Sequence, residues 1–197
     1  MRSIDVLNQI AGENGGIITI PLAEKCNVSR AVLSFLCKNG RIERIAQGQY
    51  IVAEDIQDEL FSISLRSNNI VFSHETALWL NGVSDRTPFK HTVTSPAGHA
   101  PSASIRKICR VRYAAPDKYN LGKTAIKTQF GNTVPCYDLE RTICDCVRSR
   151  KSIGDETLFH ALRQYALYPG KNLNLLHTYA AAFRIEKTVR RYLEVLL

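Results

Sequence analysis

The chain has 197 residues, 45% of them hydrophobic and 22% charged, with 26 Lys and Arg against 18 Asp and Glu and a net charge of +8. This is ordinary globular composition, enough for an apolar core in one domain or two small ones. No apolar run approaches the roughly 18 residues needed to cross a bilayer, and Asp5 and Asn8 interrupt the start where a signal peptide needs an unbroken apolar stretch, so a cytoplasmic protein is expected.

Ile4 to Asn14 reads as a first helix with Ile4, Leu7, Ile10 and Ala11 on one face. Ile18 to Ile20 is a short strand, and Pro21 sits near the first position of a second helix, Leu22 to Cys26. Val28, Val32, Leu33 and Leu36 then fall at i, i+4, i+5 and i+8, the apolar stripe of an amphipathic helix that Asn27 would cap and Gly40 would stop. Ile42, Ile45, Tyr50 and Val52 lie in two β-prone runs joined by Ala46-Gln47-Gly48-Gln49, a hairpin signal because Gly supplies the positive φ of a tight turn.

This order of elements is that of a winged helix-turn-helix. Such a module puts its last helix in the DNA major groove and lays its hairpin along the backbone. Ser29, Arg30, Ser34 and Lys38 point away from the apolar stripe, and Arg41, Arg44, Gln47 and Gln49 lie on or beside the hairpin; these are the expected DNA contacts. The competing reading is a winged helix used only for protein contacts, its charges an ordinary solvated face.

Residues 1 to 60 hold six Lys and Arg against eight Asp and Glu, so 20 cationic and 10 anionic residues fall after them. The cationic excess belongs to the second part of the chain and calls for a polyanionic partner there. The expected organisation is a winged helix over residues 1–53, an acidic linker over 54–61 and a second domain over 62–197. The expected class is α+β, with a small sheet and C-terminal helices in the second domain.

In that domain Ile70 to Phe72 reads as a strand, and Ser73 caps a helix that ends at Asn81-Gly82, with His74 on its surface. Lys90 to Thr94 is β-prone, and the Pro- and Gly-containing segment after it is loop. In Arg106 to Tyr113, Arg106, Arg110 and Arg112 share one face of a strand; in Lys123 to Phe130, Lys123 and Lys127 oppose Ile126 and Phe130. If these strands neighbour one another they form a cationic sheet surface, with Asn132 to Tyr137 completing an antiparallel sheet; a solvated face of long side chains is the alternative. Asp138 is placed to cap a helix Leu139 to Arg148, and helices Asp155 to Leu167, Leu173 to Phe183 and Ile185 to Leu197 follow. The last turns Ile185, Val189, Tyr192, Leu193 and Leu196 inward.

The six cysteines form no CxxC pair and read as free, mostly buried thiols, and no cofactor or metal is expected. Gly122-Lys123-Thr124 resembles the end of a P-loop, but Asp117 stands where that motif needs Gly and a strand follows. Asp138 and Glu140 are expected to cap and pair, and no catalytic constellation is legible, so a non-enzymatic protein is expected.

Four stretches in this order, NGRIERIAQGQYIV, FSHETALWLNGV, HTVTSP and YDLERTICDCV, resemble the AbiEi antitoxins of type IV toxin-antitoxin modules in abortive infection, and the resemblance covers essentially the whole chain. It implies a protein that represses its own operon by binding inverted repeats in the promoter, cooperatively as two protomers. It implies also a C-terminal domain that antagonises a nucleotidyltransferase-like toxin without a stable complex. The family's DNA-contacting helix and wing map to Ser29, Arg30, Ser34, Lys38, Arg41 and Arg44; Phe35 stands where relatives often carry a basic residue, which implies a helix that reads a thymine methyl or is less electrostatic. Arg106, Arg110, Arg112, Lys123, Lys127, Arg148, Arg150, Lys151, Arg184, Lys187 and Arg191 are the candidates for an anionic target, RNA or nucleotide. The alternative functions are a ligand-responsive winged-helix regulator without antitoxin activity and a nucleic-acid-processing enzyme.

Overall fold

A computed structural model describes residues 3–194 and divides the chain into two compact units. The first runs to Leu65 and includes Thr128–Asn132; the second comprises Arg66–Lys127 and the chain from Thr133 onward.

The first unit is a winged helix. Helices α1 (Ser3–Glu13), α2 (Ile20–Lys25) and α3 (Arg30–Lys38) pack with a three-stranded antiparallel sheet of β1 (Ile18–Thr19), β2 (Ile42–Ala46) and β3 (Gln49–Val52), in the order β1-β3-β2. Leu7, Ile10, Val28, Leu33 and Ile42 fill one core, with Val32 and Leu36 packed at its margin, as the apolar spacings require. Ser29, not Asn27, caps α3: its hydroxyl accepts the Val32 N–H at 3.4 Å, while Asn27 takes a left-handed φ of 60° in the turn before it. Gly40, at φ 65°, follows the helix end.

The acidic stretch expected as a linker belongs to this unit. Asp58 is buried, caps α4 (Glu59–Ser64) by accepting the Phe61 N–H, and accepts from Thr128 Oγ1 at 2.6 Å and Asn132 Nδ2 at 2.9 Å. Leu60 and Ile63 are buried as well. The run of acidic letters hides a cap and a core residue, Leu60.

The second unit carries β4 (Val71–Phe72), α5 (His74–Leu80), β5 (Thr92–Pro96), α6 (Ala103–Ile108), β6 (Arg110–Ala114), α7 (Pro116–Tyr119), β7 (Lys123–Lys127) and β8 (Thr133–Tyr137). They are followed by α8 (Leu139–Arg148), α9 (Arg150–Ile153), α10 (Asp155–Leu167), α11 (Leu173–Ala182) and α12 (Glu186–Glu194). The sheet order is β6-β5-β4-β8-β7. It is mixed, not antiparallel: β5 and β6 run parallel, as do β4 and β8. A parallel pair needs a crossover, and α6 supplies the one between β5 and β6. Arg106 therefore sits on a helix capped by Ser102, outside the strand expected to carry it; alternation over so short a run does not separate the two conformations.

Helix α8 is the centre of this unit, with Leu139 through Val147 all buried. Ile143, Cys144, Leu158, Leu162, Tyr165 and Leu176 pack in its principal core, and Ile185, Tyr192 and Leu193 lie against it around buried Val189. Leu196, expected to point inward, lies outside the described residues. Among the described residues no helix is long and apolar enough to cross a membrane.

Candidate nucleic-acid interface and a buried polar site

In the first unit α3 turns Leu33 into the core and leaves Ser34, Phe35 and Lys38 exposed, Phe35 with 64% of its surface accessible. A phenyl ring held in water on a helix whose opposite face is already packed is free for an apolar contact such as a thymine methyl. Arg30 is exposed and pairs with Glu24 at 2.9 Å. An exposed pair of this kind is worth about 1 kcal/mol or less, so it offers little resistance to exchange for a phosphate. Arg41, Arg44 and Gln47 are exposed on or beside the hairpin, whose two-residue turn rests on Gly48 at φ 74°. The Arg44 Nε donates to the Ala46 carbonyl at 3.3 Å, across the bulge in that strand.

Gln49 is a correction. Its side chain is buried, 4% exposed, its Oε1 accepts from Ser62 Oγ at 2.7 Å and its Nε2 donates to the Ser62 carbonyl at 3.2 Å. The alternation of β3 turns Gln49 inward with Ile51, so it fastens the wing to α4 and is no DNA contact. Ser29 serves first as the helix cap, though it remains exposed.

The cationic residues of the second unit do not form one sheet surface. Strands β6 and β7 are the opposite edges of the sheet, which separates Arg110 and Arg112 from Lys123 and Lys127. Arg110 pairs with Glu75 at 2.9 Å, and the Lys123 ammonium sits over the Tyr119 ring. Arg106 on α6, Lys127 on β7, Arg150 and Lys151 on α9, Lys187 and Arg191 on α12, and Arg184 just before α12 are all exposed.

Arg112 and Arg148 do come together. They line a cavity of about 420 Å³ with His74, Thr94, Tyr113, Ser149, Arg141 and Asp145. His74, expected on the surface, is 4% exposed and takes a left-handed φ of 51°. Its Nδ1 lies 3.0 Å from Ser73 Oγ and its Nε2 3.0 Å from Ser149 Oγ; Ser73 Oγ in turn accepts from Thr94 Oγ1 at 2.8 Å. Burial lowers the imidazole pKa below its usual value, against the pull of Asp145 and Glu75, so the ring is held neutral. A bulky residue at positive φ is strained, and such strain gathers at functional sites.

The chain is not matched by any family model or by any curated protein. Its fold is similar to that in the crystal structure of the RV2827C protein from Mycobacterium tuberculosis, with a TM-score of 0.64 over 89% of this chain and 70% of that one, at 14% sequence identity.

Reading the sequence missed Arg141, the best-anchored polar residue of the site. It is 1% exposed, pairs with Asp145 at 2.9 Å, donates to the carbonyls of Lys118 and Leu121 at 2.6 Å each, and lies over the Tyr137 and Phe183 rings. Its signal was an Arg and an Asp four apart on a helix otherwise too apolar to be solvated. Asp138 caps α8 as expected, accepting the Arg141 N–H at 2.8 Å, and also accepts from Tyr179 at 2.9 Å. Glu140 accepts from the Asn172 N–H at 2.7 Å and from Tyr165. Burial raises the thiol pKa values of Cys136 and Cys146, and that of Cys144 to about 12, so these cysteines stay protonated.

Proposed function

We propose that this protein is an antitoxin that represses its own operon through the winged helix and antagonises a nucleotidyltransferase-like toxin through the second unit. The observation that carries the DNA-binding part is the exposed face of α3. Ser34, Phe35 and Lys38 stand clear of the core, beside a wing bearing Arg41, Arg44 and Gln47. Donors, a cation and an apolar ring on one helix face are what base edges, phosphates and a thymine methyl require. The antitoxin part rests on the four-stretch resemblance and on the cationic excess of the second unit, and binding by two protomers at inverted repeats follows from the same resemblance.

The test uses full-length protein carrying Arg30→Ala and Lys38→Ala. The variant should lose repression of a reporter under its own promoter. It should still rescue cells expressing an adjacent nucleotidyltransferase-like reading frame. Loss of both activities, or of neither, would refute two separable functions.

A second reading, a winged-helix regulator controlled by a small ligand, is favoured by the polar cavity around His74. It predicts that the second unit has no effect on toxicity.

A further inference from the structure

We infer that the cavity bounded by His74, Arg112, Tyr113, Arg148 and Ser149 is a binding site for a phosphomonoester of mononucleotide size. The charge balance of the lining favours an anion, with three guanidinium groups, those of Arg112, Arg141 and Arg148, against the single carboxylate of Asp145. That carboxylate is already spent on Arg141 at 2.9 Å and Arg148 at 3.3 Å.

Arg112 is the residue poised for the ligand. One of its terminal nitrogens donates to Ser152 Oγ at 2.7 Å, but its Nε is buried without a hydrogen-bond partner. A buried donor left unpaired is costly, and a phosphate oxygen satisfies it at no further desolvation of the arginine. Across the cavity the Arg148 guanidinium lies against the Phe183 ring, 4.3 Å from its centroid, so its position is fixed by packing as well as by charge. Ser149 makes no cap bond to the short helix it precedes, and its hydroxyl instead meets His74 Nε2.

The neutral His74 ring, fixed by Ser73 on its other nitrogen, orients that hydroxyl toward a ligand. The volume suits a small nucleotide better than a bare ion. Tyr113, on the lining yet 54% exposed, presents a ring at the mouth on which a base can stack. This assignment does not depend on operator binding or on the toxin, and it stands or falls separately from them.

The experiment is calorimetric titration of the full-length protein with AMP, inorganic phosphate and adenosine. AMP should bind more tightly than phosphate, and adenosine should not bind measurably. Arg112→Gln should weaken AMP by at least about tenfold, the loss expected for one charge-assisted hydrogen bond. Should Arg112→Gln fail to fold, Ser149→Ala provides the same test by lowering affinity for AMP and phosphate together. Arg163→Ala, an exposed cation outside the lining, should leave binding unchanged. Failure of both AMP and phosphate to bind, adenosine binding as tightly as AMP, or an Arg112→Gln or Ser149→Ala protein that folds and binds AMP normally would each overturn the assignment.

Discussion

The two units differ in where they keep arginine: the first has none buried among its described residues, and the second buries Arg141. The winged helix is a small apolar core with Arg30, Lys38, Arg41 and Arg44 outside, where removal of any of them leaves only solvent-accessible partners such as Glu24. The second unit threads Arg141, Asp145, Glu140 and His74 through its interior and satisfies them with carbonyls, hydroxyls and one another. A charge on the outside can be altered at the expense of binding alone. A charge on the inside cannot be altered without altering stability.

The largest effect should come from Arg141→Met. It takes from the buried Asp145 carboxylate its closer partner, leaving only the partly exposed Arg148, and from the Lys118 and Leu121 carbonyls their donor, and should cost about 3–5 kcal/mol in denaturant unfolding. Replacing both, as Arg141→Met with Asp145→Leu, should recover much of that loss, because what is costly is the unpaired charge. If the single variant were as stable as the parent, the interior network would contribute nothing.

A smaller contrast lies between two glutamines of the wing. Gln49→Ala removes the buried hydrogen bond that the Ser62 hydroxyl donates to it and should destabilise by about 1–3 kcal/mol. Gln47→Ala, exposed on the turn, should leave the melting temperature unchanged. Equal effects would erase the distinction between the buried start of β3 and the exposed turn before it.

His74 sharpens the comparison through pH. The unfolded chain takes up a proton at the ordinary imidazole value of 6.5, which the native state resists because burial lowers the pKa. The contribution is therefore complete above pH 6.5 and lost as pH falls below it, with a slope of at most about 1.4 kcal/mol per pH unit. In His74→Gln the stability profile should flatten over that window. The smallest effect is that of Arg44→Ala, which should leave stability intact, weaken DNA of every sequence alike and reduce the salt slope by about one.

Much of the first unit was legible in its letters because its helices and hairpin are local and one-sided. The spacing of Val28, Leu33 and Leu36 and the glycines at 40 and 48 dictate helix, stop and turn without reference to anything distant. Gln49 escaped because a polar residue beside a turn reads as solvated, and its partner Ser62 lies on a helix that sequence periodicity did not reveal. In the second unit the longer helices and the five strands were visible, but the short helix α6 and the order of the strands were not. Strand order depends on long-range pairing, and β6 and β7, similar in pattern, occupy opposite edges. His74 and Arg141 escaped for a related reason: hydroxyls and carbonyls far away in sequence satisfy them.

The measurement that tests the DNA-binding proposal most directly is fluorescence anisotropy of the full-length protein against the DNA upstream of its own gene, begun at low ionic strength and repeated as salt rises. The parent should bind that DNA more tightly than an unrelated duplex, with affinity falling linearly in log salt, while Arg30→Ala with Lys38→Ala should lose the preference for its own sequence at unchanged stability. A parent protein that ignores its own upstream DNA at low salt, or a double variant that binds it as the parent does, would contradict the account.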